Sequence, residues 1–198
     1  MMMRILIGTA LTTGMLGVAA AAAPLPAASL EHFTATAVEI TNFTRINLRP
    51  MEIVITRWSS PVEHHRLVAA LIENGPAAFL DRLCTFAPAG AIVVVGGREF
   101  TVRYAWQAWG RDGTRRIYLG FDEPVSLMAV VHRPTGEPLT FLELRIDRNG
   151  LGKAKFSDAR QLAVDETTNL IGLRDYDGRP LDLIEVRSLG PTDDQPNE

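Results

Sequence analysis

From Ala91 onward, apolar and polar residues alternate, and short turn signals interrupt the alternation at close intervals. This pattern constrains the fold most tightly. Period two sends successive side chains to opposite faces of a sheet, and connections this short join antiparallel neighbours. The run "AIVVV" meets Gly96-Gly97 and then "REFTVRYAWQAW", a hairpin whose turn needs positive φ, which glycine adopts without steric cost. Arg111-Asp112-Gly113-Thr114 leads into "RRIYLGF", Glu123-Pro124 into "VSLMAVVH", and Pro134 to Pro138 into "LTFLELRID". Asn149-Gly150 turns the chain into "GKAKFS", and Asp177-Gly178 separates "NLIGLRDY" from "PLDLIEVR". "VSLMAVV" is apolar on both faces, which predicts a central strand covered on both sides.

Ahead of this region, "FTATAVEI" (Phe33 to Ile40) and "MEIVITRW" (Met51 to Trp58) alternate and are β-branched, so both read as strands. Asn42 to Pro50 reads as a loop or short edge piece, and Trp58 as a strand end. Two helices follow. Pro61 to Asn74 carries Leu67, Val68, Leu71 and Ile72 on one stripe and stops at Gly75-Pro76; Ala77 to Ala87 carries Phe79, Leu80, Leu83 and Cys84 at the same spacing. The expected fold is therefore α+β: an antiparallel meander of about seven to nine strands, strongly twisted or curled toward a barrel, with one helical hairpin packed against it. A single domain over 29–190 and a polar, proline-bearing tail over 191–198 complete the layout.

The N-terminus has the pattern of a secretory signal peptide of about 28 residues: Arg4, an apolar run, then alanines to Ala23, with no acid before Glu31. The apolar run is short for a membrane span, and no later stretch approaches the ~20 residues that spanning needs, so the mature form is expected without a transmembrane segment. Cys84, the one cysteine, lies far from the cleavage zone, so no lipidated N-terminal cysteine is expected. One cysteine also excludes a disulfide within the chain. Removing Arg4 leaves 19 cationic residues against 23 acidic, a mature net charge of −4 with no basic face for nucleic acid. A secreted protein, periplasmic or outside the cell, is the reading these features support.

The segments "ITRWSSPVEHHRLVAAL", "FTVRYAWQ", "RRIYLGFDEPVSL", "LTFLELRIDRNGLGKAKFS" and "LDLIEVR", spread from about Glu52 to Arg187, resemble a family of uncharacterised secreted bacterial proteins with no assigned activity. The resemblance implies one secreted domain and carries no catalytic or ligand residues.

Several stretches hold residues of chemical interest. Ser60-Pro61-Val62-Glu63 fills every position of a capping box, so Ser60 and Glu63 read as helix-start residues. His64 and His65 are adjacent, pointing ~100° apart on a helix, and cannot converge on one metal as an i,i+4 pair does. His64 falls on the inward stripe, where it either packs or faces a cavity. Cys84 reads as a small core residue on the second helix. "VVVGGRE" lacks the third glycine and the helix of a dinucleotide loop. Asp147, Asn149, Gly152 and Asp158 take positions 1, 3, 6 and 12 of a calcium loop, but Leu151 at position 5 offers no oxygen and a strand precedes.

"RYAWQAWGRDGTRRIYLGF" gathers aromatics and arginines over one hairpin. Alternation predicts Tyr104 and Trp106 on the core face with Phe100 and Val102, leaving Arg103, Gln107 and Trp109 on the other. No metal and no cofactor is expected, and no acid, base and nucleophile converge. The function expected is a non-catalytic envelope module binding a small ligand or another envelope protein, in the sheet concavity or through Arg103, Trp109, Arg116 and His64. A hydrolase using His64, His65 or His132 as general base, and a calcium-stabilised structural or adhesive module, are the alternatives.

Overall fold

The computed structural model describes residues 31–41, 45–95, 98–123, 140–165, 167–174, 176 and 182–190. The expected signal peptide, the 191–198 tail, Gly96-Gly97, "VSLMAVV" and His132 lie outside the described residues. In chain order the elements are β1 (Glu31–Thr41), β2 (Arg45–Ile55), α1 (Pro61–Cys84), β3 (Gly90–Val94), β4 (Glu99–Trp109), β5 (Arg115–Phe121), β6 (Phe141–Ile146), β7 (Leu151–Ser157), a 3-10 turn (Ala159–Gln161), β8 (Leu162–Asp165), β9 (Leu170–Leu173) and β10 (Asp182–Ser188). Strands β1 to β7 pair antiparallel in sequence order, and β10 pairs with both β7 and β1, closing an eight-stranded barrel. β8 and β9 form a separate two-stranded ribbon.

Local chemistry sets the registers. At the β6–β7 turn, Asp147 Oδ1 accepts from the amides of Asn149 and Leu151 at 2.8 and 3.0 Å, and Gly150 takes φ 75°. Strand β2 begins at Arg45, inside the stretch whose composition predicts a loop, because every residue from Arg45 to Ile55 has a ladder partner on β1. Pairing outweighs the polar composition there.

Eight strands make a bore that side chains can fill. Phe33, Met51, Ile53, Ile92, Phe100, Val102, Leu119, Phe121, Leu142, Leu144 and Phe156 are among those that fill it. The expected ligand-holding concavity is thus occupied by the protein's own core. A second cluster packs outside the wall, where Leu67, Val68, Phe79 and Leu83 of α1 meet Tyr104, Tyr118 and Phe141, with Leu162 and Ile171 of the ribbon.

Within α1 two helical arms meet at a kink at Gly75, where the Gly75-Pro76 stop signal predicts the end of the first helix. Gly75 has φ 78° and ψ −169°, a conformation open essentially to glycine alone. On the second arm Phe79, Leu83 and Phe86 are buried and Cys84 is exposed, correcting its reading as core. The helix ends at Cys84, short of Ala87.

Strand β4 departs from strict alternation. Val102 pairs with Phe121 but Tyr104 pairs with Gly120, so Arg103 is an extra residue in the ladder. Beyond this bulge the faces exchange. Phe100 and Val102 point into the bore, while Tyr104 and Trp106 pack under α1, correcting the prediction that all four share a face.

Candidate functional site

His64 sits on the first turn of α1 because the capping box fixes the start of that helix. Ser60 Oγ accepts from the Glu63 amide at 3.2 Å, and Glu63 Oε2 accepts from the Ser60 amide at 2.7 Å. Glu63 also takes two bonds from Arg57. Burial alone would raise the Glu63 carboxyl; the bonds from Arg57 and Ser60 outweigh it and hold the pKa below its usual value. Pinned from this side, His64 is buried, stacks on Trp106 with centroids 4.1 Å apart, and has both ring nitrogens bonded. Nε2 lies 2.9 Å from the Asn169 carbonyl, which can only accept, so Nε2 carries the proton and Nδ1 accepts the Tyr104 hydroxyl at 2.7 Å. Desolvation lowers the His64 pKa, partly opposed by the Asn169 carbonyl, so the ring is neutral. Burial pushes the Tyr104 hydroxyl well up. His64 is a structural pin between helix, barrel and ribbon. Among the described residues it bonds to no carboxylate or serine. His65, one position on, lines an open cleft of about 780 Å³ between the two arms of α1.

Trp109 lies at one mouth of the barrel and forms part of a closure that the sequence does not announce. Arg115 is buried there, with Nη1 and Nη2 donating to the two carboxylate oxygens of Glu31 at 2.7 and 2.5 Å and Nε donating to Gln107 at 2.8 Å. Its guanidinium lies 5.5 Å from the Trp58 ring centroid and 6.0 Å from that of Trp109. Trp58 belongs to the connection after β2, correcting its reading as a strand end. Arg103, at the bulge, donates to Asp122 at 2.5 Å and to the Phe86 carbonyl at 3.0 Å. Both residues are thus engaged internally, Trp109 at the end of β4 and Arg103 in its middle, six positions apart. Arg103 ties the strand to the chain that follows α1.

Arg116 is placed differently. The ladders set Arg116 opposite Arg145, and Arg145 opposite Lys153, so three cations face one another across β5, β6 and β7 on the outer wall. Like charges directly opposite are destabilising in a sheet. Arg145 is relieved by Glu143, accepting at 2.8 Å, and by the Tyr176 ring, whose centroid lies 3.4 Å from the guanidinium carbon. Arg116 bonds the Tyr118 hydroxyl, yet its Nε is enclosed with no hydrogen-bond partner. Lys153 is exposed.

The three cations line a groove of about 420 Å³ with Asp112, Thr114, Asp147, Leu151 and Gly152. Both acids are partly committed to turns: Asp112 Oδ1 accepts from the Thr114 amide at 3.0 Å, as Asp147 does from its own turn. That Thr114 amide, then the Thr114 hydroxyl and the charge of Arg116, hold Asp112 below the usual carboxylate range. One row further along, Tyr118, Glu143 and Lys155 face one another under the ribbon, all buried. Glu143 Oε2 accepts the Leu173 amide at 3.2 Å. Burial, then the Glu143 charge, raises the Tyr118 pKa.

The structure brings none of Arg103, Trp109, Arg116 and His64 together. Sequence reasoning missed Arg145 and Lys153, whose signal exists only once the register of β5, β6 and β7 is known. For the calcium reading, Asp147 precedes β7 and Asp158 follows it, with the seven residues of that strand holding them ~20 Å apart. They cannot share an ion. Among the described residues no group of three His, Cys, Asp or Glu side chains is placed to hold a metal ion. Comparison of the chain with family models, curated proteins and solved structures found no match.

Proposed function

We propose that this protein is a non-catalytic binding module of the cell envelope or exterior that takes an anionic group in the groove of Arg116, Arg145 and Lys153. One observation carries the reading: three cations occupy a single cross-strand row and, among the described residues, are only partly neutralised. Such a row raises the energy of the free sheet, and a bound carboxylate, sulfate or phosphate relieves it. Export rests on the N-terminal pattern and on the resemblance to secreted bacterial proteins. A hydrolytic role has less support, since the inward histidine spends both nitrogens on Tyr104 and Asn169.

The test is titration of the 15N-labelled mature protein with acetate and with sulfate, followed by NMR. Saturable shifts at Arg116, Arg145 and Lys153 are expected. Arg116→Gln and Lys153→Gln should each weaken binding about tenfold, from the loss of one charge-assisted contact. Arg145 is unsuitable for this purpose, because it also pairs with the buried Glu143. Shifts that never saturate, or that persist undiminished in both variants, would overturn the reading.

A further inference from the structure

The groove does not end at its charges. Leu151 lines it and is 48% exposed, and Leu189 is 58% exposed. The β7–β10 ladder pairs Leu151 with Arg187, and Leu189 follows two positions later on the same strand line, where the Ser188 amide donates to the Gly150 carbonyl at 2.9 Å. Residues in that diagonal relation lie ~7 Å apart on one face. Two large exposed side chains therefore extend the groove along the outer wall as an apolar shelf, next to the three cations. Exposed leucines scattered singly need no explanation, but a pair beside a charged recess does.

Charge sets the head group. Arg145 is already paired with Glu143, Arg116 and Lys153 face Asp112 and Asp147, and Arg187, exposed and directly opposite Leu151, adds a cation beside the shelf, so among these residues an anionic head meets a small positive excess. Shape and polarity set the rest of the molecule. We infer that the occupant is a dispersed single-chain anionic amphiphile, its head on Arg116, Arg145 and Lys153 and the first part of its hydrocarbon chain on Leu151 and Leu189. The inference rests on the anion-binding reading above and deepens it. Two leucines offer the width of one acyl chain and too little apolar surface to hold the protein on a bilayer.

The experiment is calorimetric titration of the mature protein with dodecanoate below its micelle concentration, alongside acetate (head without tail), dodecyltrimethylammonium (tail with the opposite head) and phosphatidylglycerol vesicles. Each buried methylene is worth ~fourfold in affinity, so a few methylenes on the shelf should make dodecanoate bind at least tenfold more tightly than acetate. Leu189→Asn, beyond the groove itself, should erase much of that advantage and leave acetate binding unchanged; the site is exposed, so the fold tolerates the change. Dodecyltrimethylammonium should bind at least tenfold more weakly than dodecanoate, and vesicles should not sediment the protein. Equal affinities for acetate and dodecanoate would overturn the amphiphile and leave the anion groove standing. Equal binding of the two dodecyl compounds, or capture by vesicles without binding of dispersed dodecanoate, would also overturn it. Failure of every anion to bind removes both readings.

Discussion

Ser60 was legible because capping is local chemistry: a hydroxyl, a proline and a glutamate within four residues decide where a helix begins, and both reciprocal bonds form. Ser60→Ala should lower stability by about 1 kcal/mol in urea denaturation, since the Glu63 amide loses its acceptor. Four residues on, the inward position of His64 was also readable, but its partners were not. Tyr104 arrives 40 residues away and Asn169 arrives 105 residues away. Those partners give a pH dependence. The folded pKa lies below the ordinary value of 6.5, so as pH falls below about 6.5 the unfolded chain binds a proton that the folded chain still refuses. Stability from this residue is full above that pH and is lost as pH falls toward the folded value. Protonation also turns Nδ1 from acceptor to donor and leaves the Tyr104 hydroxyl proton without its partner. Melting temperatures measured between pH 7.5 and 5.0 should fall with pH, and His64→Gln should flatten that slope; an unchanged slope would remove His64 as its source.

Helix α1 and strand β4 are each broken at one residue. At Gly75 a side chain would meet nothing within 4 Å, so Gly75→Ala tests the backbone alone. A non-glycine residue in that conformation costs about 2 kcal/mol, and equilibrium denaturation should register a loss of that size. The Gly-Pro pair marked a helix boundary in the sequence, and Phe79 and Leu83 of the second stripe are buried as its spacing predicts, while Cys84, at the edge of that stripe, faces out. Arg103 is where β4 breaks. Alternation is a rule for unbroken ladders, and one extra residue exchanges the faces of all that follows. Nothing in "FTVRYAWQ" marks the extra residue, because a bulge is defined by the partner strand, here Phe121 and Gly120. The row Arg116, Arg145 and Lys153 was hidden for the same reason: three residues from three strands become neighbours only through register.

Barrel closure is a property of the whole chain. Short turns made the meander readable, whereas the β1–β10 pairing joins segments about 150 positions apart and leaves no local trace. In the order of strands around the barrel, β1 and β5 stand four places apart out of eight, on opposite sides. The Arg115–Glu31 pair therefore spans the mouth, with side-chain exposures of 8% and 12%. Removing one partner of so enclosed a pair strands the other charge. Arg115→Met should cost about 3 kcal/mol, and adding Glu31→Gln should recover part of that loss. A double-mutant cycle by chemical denaturation checks both, and simple additivity would show the two residues to be uncoupled. The pair also defines a trimming limit. A protease that stops before Glu31 leaves the spanning tie intact, whereas one cutting a residue or two further in removes the carboxylate that Arg115 bonds across the mouth. The shortest stable fragment of this chain should start at Glu31, and a ladder of N-terminal deletions should show a step in stability at that residue and not a slope.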